Sequence, residues 1–297
     1  MGGYKKEKNV TLYFMDKDGN KVSVGELSQK NRNKILENQK RAAQLTTMQN
    51  VMTMPKSLKS FDGHVQASDN IRNSSSKTVQ KYIDEGMRYV KQAIKKLEFR
   101  CRVKESVIQQ ILSSGRLKNQ LETHTTMGAD APEERMEMSQ DVFQHDRNLQ
   151  PQDYEKYGYL GNGETVAGRH YGDLDIVLKK DRMMNRTTIT FGDSLFSHLA
   201  ATRVTKPGIS SLFGKRWGLD NADVNVYHAK EFAMDAKQLL NTGRAWGYAE
   251  LQYHGNVTLD DIDHISVPKF WRGNPSHTEA IRAIESYGIK ITYDDEL

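Results

Sequence analysis

From Gly115 onward the chain is cut into seven short stretches whose apolar residues alternate or come in brief β-branched runs. They are RLKNQLETHTT (116–126), GDLDIVLKK (172–180), RTTITFG (186–192), VNVYH (224–228), YAELQYHG (248–255), HISVP (264–268) and IKITY (289–293). Segments of this length and period make strands, and the strands must share a sheet to pair their backbone polar groups. Helical spacing returns between them at 133–145, about 194–203, 229–241 and 277–287. Residues 115–297 are therefore expected to form an α+β domain around a mixed or antiparallel sheet.

Ahead of that domain the pattern is different. From Thr78 to Leu112 the residues Val79, Ile83, Met87, Val90, Ile94, Leu97 and Cys101 fall at helical spacing, and Val107, Ile108, Ile111 and Leu112 continue it. Residues 77–114 read as one long amphipathic connector helix, roughly 50 Å if unbroken, with Gly115 in the C-cap position. Cys101 is the only cysteine, which rules out an internal disulfide and a thiolate zinc site and leaves it a packing role in this helix.

Residues 1–76 read as a basic N-terminal part. Val10, Leu12 and Phe14, then Val22 and Val24, alternate on either side of DKDGN, the signature of a hairpin. Ser28 caps a helix reaching about Gln49, and 50–76 shows no period and reads as a linker. Residues 1–119 hold 24 basic against 11 acidic residues, a surplus of +13, while 120–297 hold 19 against 27, or −8. A basic front part is the expected contact for DNA or an acidic surface, a solvated helical face being the plainer account. No apolar run approaches the roughly 18 residues of a membrane span, and MGGYKKEKNV lacks the apolar segment of a signal peptide, so synthesis in a cytoplasm is expected.

The stretch WGYAELQYHG (246–255) sets Glu250, Gln252 and His254 on one face of a strand. A carboxylate between Ala249 and Leu251 on a central strand needs a reason to be there. Three chemistries fit. A nucleotidyltransferase would use the glycine turn at 160–162 and the pair Asp173 and Asp175 to hold Mg²⁺. A metal-dependent nuclease would use Glu250 and Gln252 with an upstream Asp173 or Asp193. A sheet that binds NAD would place Glu250 near the ribose, with hydroxyls from Thr188 and Thr190 on one strand and Thr123 and Thr125 on another. Against all three, RTTIT can be a wet sheet face, and Asp193-Ser194 can cap the next helix.

YEKYGYLGNG, YGDLDIVLKKD, RTTITFGDSL and YAELQYHGNVTLDDIDHISVP resemble the signature segments of a domain family found on phage head-morphogenesis proteins and bacterial polymorphic toxins, over roughly residues 100–297. The strand order more loosely resembles ADP-ribosyltransferases of the Arg, Ser-Thr-Ser, Glu-x-Glu class, including effectors that modify ubiquitin on threonine. The resemblance implies transfer of ADP-ribose from NAD to a macromolecular acceptor, a protein such as ubiquitin or a nucleic acid. It also implies delivery by a phage particle or a secretion system without a cleaved signal peptide. Arg116 takes the place of the class's Arg, with His124 its substitute, RTTIT stands where Ser-Thr-Ser would be, and Ser194 and His254 complete the set expected around NAD. Two registers stay open for the last motif: Tyr248-x-Glu250 makes Glu250 catalytic, whereas Glu250-x-Gln252 puts Gln252 in the catalytic place. The non-enzymatic alternative is a phage-head or toxin-associated structural module.

Overall fold

The computed structural model describes residues 13–15, 21–23, 77–123, 136–137, 139–140, 143, 145, 148–163, 171–192, 202–203, 226–245 and 249–294. The chain divides into Met1–Thr46 and Thr47–Leu297. In the first unit, β1 (Tyr13–Met15) pairs antiparallel with β2 (Lys21–Ser23), Phe14 opposite Val22, as the alternation around DKDGN requires. The helix expected after Ser28 and the linker lie outside the described residues.

The second unit holds α1 (Lys77–Lys96), β3 (Glu98–Val103), α2 (Glu105–Ser114), β4 (Arg116–Leu117), α3 (Gln120–Thr123), β5 (Lys156–Gly161), β6 (Leu174–Leu178) and α4 (Lys180–Met183). There follow β7 (Thr187–Phe191), β8 (Thr202–Arg203), α5 (Val226–Thr242), β9 (Ala249–Tyr253), β10 (Val257–Thr258), β11 (Ile262–Pro268), α6 (Thr278–Ser286) and β12 (Lys290–Asp294). Eight strands form one sheet in the order β12-β11-β6-β3-β5-β9-β7-β8. Every neighbouring pair is antiparallel except β11 and β12, whose parallel pairing uses α6 as its crossover. A mostly antiparallel sheet with helices is the α+β class expected. Among the described residues no helix is long and apolar enough to cross a membrane.

The expected long helix is broken. It stops at Lys96, and the next residues enter the middle of the sheet as β3. Leu97, Phe99, Cys101 and Val103 alternate with Glu98, Arg100 and Arg102, a period-2 run masked because Ile94, Leu97 and Cys101 also sit three and four apart. The strand wins because alternation sends Phe99 and Cys101 into the core and both arginines to the opposite face, which a helix cannot do. A domain boundary at 114/115 would therefore remove a central strand, and 77–114 is part of the sheet domain.

Two further strand readings change. RLKNQLETHTT gives only the two residues of β4, paired with β10, and then turns into α3. Asn119 and Glu122 close this turn reciprocally: Glu122 N donates to Asn119 Oδ1 at 3.1 Å and Asn119 N to Glu122 Oε2 at 3.1 Å. Thr123 thus lies on a helix rather than a strand face. The end of VNVYH is the first turn of α5, not a strand.

The sheet has two unlike faces. Phe99, Leu160, Ile176, Ile189, Leu251 and Ile265 share the apolar one, all buried. The helices α1 and α5 cover it, with Phe232 of α5 edge-on to Phe191 at 5.1 Å. At Gly86 of α1 an added Cβ would stand 2.3 Å from the Phe232 ring, so glycine lets the two helices approach. The other face carries Arg100, Arg102, Tyr157, Tyr159, Asp175, Thr188, Thr190, Glu250 and Gln252.

Candidate functional site

On the polar face the register sets Glu250 opposite Thr190 and Tyr159, and Gln252 opposite Thr188 and Tyr157. Alternation of β9 and β7 therefore places the residues read from WGYAELQYHG and RTTIT side by side. Gln252 Nε2 donates to Glu250 Oε1 at 2.7 Å and to Thr190 Oγ1 at 3.1 Å, and its Oε1 accepts from Thr188 Oγ1 at 2.7 Å. That one hydroxyl hydrogen is spent on an acceptor-only oxygen, so the 2.9 Å contact between Thr188 Oγ1 and His254 Nε2 has His254 as donor. Gln252, Thr188 and His254 are fully buried, and Glu250 is 5 % exposed.

Glu250 borders a cleft of about 270 Å³ at the end of β3 and the start of β5. Arg102, Lys104, Arg116, Lys118 and Lys156 line it, with Tyr157, Tyr159 and Tyr171; Glu250 is the one carboxylate lining it among the described residues. Arg116 is ion-paired with Glu122, while its buried Nη1 has no hydrogen-bond partner among the described residues. Lys156 donates to the carbonyls of Gln152, of Tyr154 at 2.9 Å and of Gly255 at 2.9 Å. Burial pulls its ammonium down to about 8, and its neighbours Glu122 and Arg116 act in opposite directions. Its three donors are spent on these carbonyls, so Lys104, Arg116 and Lys118 are the cations with which the cleft meets an anionic ligand.

Of the residues expected around NAD, the structure brings Glu250, Arg116 and Thr123 to this cleft. Gln252, Thr188, Thr190 and His254 lie in the buried network behind Glu250. His124, Thr125 and Ser194 lie outside the described residues, as does Asp193.

Beside the cleft sits a cluster that sequence reasoning missed. Asp175, fully buried, takes Arg102 bidentately, Nε at 2.9 Å and Nη2 at 2.9 Å, and Arg100 Nη1 at 3.0 Å. The Tyr159 hydroxyl donates to the same carboxylate, and burial together with the Asp175 charge holds that phenol well above its ordinary value. For Arg100 burial pulls down, but Tyr159, Asp175 and Glu98 outweigh it and raise the guanidinium. With two guanidiniums on Asp175, and Asp173 exposed at the start of α2, the two aspartates do not form an open Mg²⁺ site. That removes the geometry the nucleotidyltransferase reading needed. The alternation EFRCRV would have placed both arginines on one face, yet nothing in the sequence pairs them with Asp175.

A third set, His145, Glu155 and His254, is buried with one candidate ligand atom from each residue within 4.8 Å of the others. His145 Nε2 lies 2.8 Å from Glu155 Oε2, and the other carboxylate oxygen accepts from Ser139 and from Tyr157 Oη at 2.7 Å. Burial pushes the Glu155 carboxyl up, but His145, His254 and Ser139 together bring it down to about 2. No protein-family model matches the chain, and no curated protein matches it.

Proposed function

We propose that this protein transfers ADP-ribose from NAD to a macromolecular acceptor, a protein such as ubiquitin or a nucleic acid. The observation that carries the reading is Glu250 on the wall of a basic, tyrosine-lined cleft. A diphosphate suits the Arg116 and Lys118 side of that wall, where Arg116 Nη1 is a donor in want of an acceptor. The tyrosines offer stacking surface for a nicotinamide or adenine ring. At 270 Å³ the cleft holds one end of a dinucleotide, and the remainder of NAD would lie along its mouth.

In the reaction the bond from ribose C1′ to the nicotinamide nitrogen breaks, and its electron pair leaves with neutral nicotinamide. The acceptor nucleophile then bonds C1′ and gives up its proton. Positive charge builds on the ribose between these events, and an ionised Glu250 beside it lowers the barrier. Gln252 holds Glu250 in place through its 2.7 Å bond. The access of Glu250 to the cleft, against full burial of Gln252, supports the register in which Glu250 is catalytic and Gln252 a positioning residue.

Incubation with NAD labelled in both halves tests this: free nicotinamide and labelled acceptor should appear together. Glu250→Gln should lower nicotinamide release by at least about 100-fold with NAD affinity little changed, because charge is lost and shape is kept. An absence of nicotinamide release with acceptor-containing lysate would overturn this reading, leaving the non-enzymatic module if nucleic acid too is untouched. Activity on nucleic acid that appears only with Mg²⁺ would make it a nuclease.

A further inference from the structure

We propose that His145, Glu155 and His254 form a zinc site that ties His145 to Glu155 ahead of β5 and to His254 after β9. The site lies behind the cleft and does not depend on the NAD reading.

Two imidazoles and one carboxylate are a donor set suited to Zn²⁺. Ligand atoms of a tetrahedral zinc lie roughly 3.3 Å apart for bonds of about 2.0 Å. Here the three are within 4.8 Å, with the His145–Glu155 pair at 2.8 Å, so rotamer adjustments bring them to zinc spacing. The surrounding bonds are those a metal ligand needs. Ser139 and Tyr157 both donate to one oxygen of Glu155, leaving the other turned to the histidines. His254 donates from Nε2 to Thr188, which makes Nδ1 the nitrogen that presents a lone pair.

The alternative is a plain hydrogen-bonded core in which His145 and Ser139 are the partners of Glu155. Glu155 is 2 % exposed beside histidines at 5 % and 0 %, and an ion held by all three would compensate its buried charge. Phe143 stacks on His145 at 5.5 Å and meets His254 edge-on at 5.1 Å, holding both rings in place.

Position gives the ion a role. Glu155 immediately precedes β5, His254 follows β9, and His145 stands ten residues ahead of Glu155. One ion would join all three. Through Thr188 and Gln252 the same network reaches Glu250.

The test uses the untagged full chain. Metal analysis after stripping and exposure to Zn²⁺ should find about one zinc per chain, and Zn²⁺ should raise the unfolding temperature of the stripped protein by about 5 °C or more. Co²⁺ in its place should give the intense visible bands of a tetrahedral site. His145→Gln and Glu155→Gln should each weaken Zn²⁺ binding at least about tenfold. If the variants do not fold, the wild-type readings decide alone. The proposal fails if the stripped chain takes up no zinc and its unfolding temperature is unmoved. It fails equally if Co²⁺ gives only the weak bands of an octahedral surface site, or if folded variants bind zinc as tightly as wild type.

Discussion

Asp175 and Cys101 occupy opposite faces of the same sheet, and their environments dictate opposite chemistry. Among the described residues Asp175 is the counter-charge of Arg102, and it shares Arg100 with Glu98. Asp175→Asn keeps the shape and removes the charge, which leaves two buried guanidiniums short of a partner. The expected loss is about 3–5 kcal/mol in urea unfolding. Cys101 lies against the Tyr157 carbonyl, its Sγ donating at 3.1 Å, and burial followed by the Asp175 charge pushes the thiol up to about 12. A disulfide-exchange reagent at pH 8 should leave it unmodified in the native protein and label it on unfolding. Rapid native labelling would show β3 to be open. The sequence marks Cys101 as a packing residue and Glu250, Gln252 and His254 as sharing a face, because alternation is local. It does not mark the partners of Asp175, which stand 75, 73 and 16 residues away.

At the scale of elements, β3 and β5 show what periodicity hides. Both are central strands, yet β3 follows α1 so closely that one helical period runs through the junction, and β5 ends in the stretch 160–162 that reads as a glycine turn. Gly158 in β5 is there for room. A Cβ at this position would stand 2.1 Å from the Arg100 carbonyl oxygen and 2.5 Å from the Tyr253 ring, whose hydroxyl donates to that same carbonyl. Gly158→Ala should therefore cost about 3 kcal/mol or more, because the obstacle is backbone in the middle of a sheet. Gly86→Ala on α1 should cost less, since the Phe232 ring can tilt away and alanine favours the helix. Paired urea melts check the order, and an equal or larger loss at Gly86 would contradict the packing described here.

For the whole molecule the charge split between front and back halves marks no structural boundary. Residues 1–46 hold 10 basic against 5 acidic residues, a surplus of +5, and 47–119 contribute the other +8 of the +13. The second group includes Arg100 and Arg102, whose side chains are 5–6 % exposed and committed to Asp175, so little of their charge is left for an outside partner. Lys104 and Lys118 are exposed and stand at the cleft. A chain beginning at Thr47 keeps α1, whose Val79, Ile83, Met87, Val90 and Ile94 are buried against the rest of the fold. It should unfold within about 2 °C of the full chain. A chain beginning at Arg116 loses α1 and β3 together, removing the strand between β5 and β6, and should show no cooperative transition. Retention of the two longer chains on immobilised DNA should fall as salt rises, more steeply for the full chain, because each exposed cation in contact with phosphate adds to the slope. Identical slopes would mean that residues 1–46 make no phosphate contact and that cations from residue 47 onward, those of α1 and of the cleft, account for the binding.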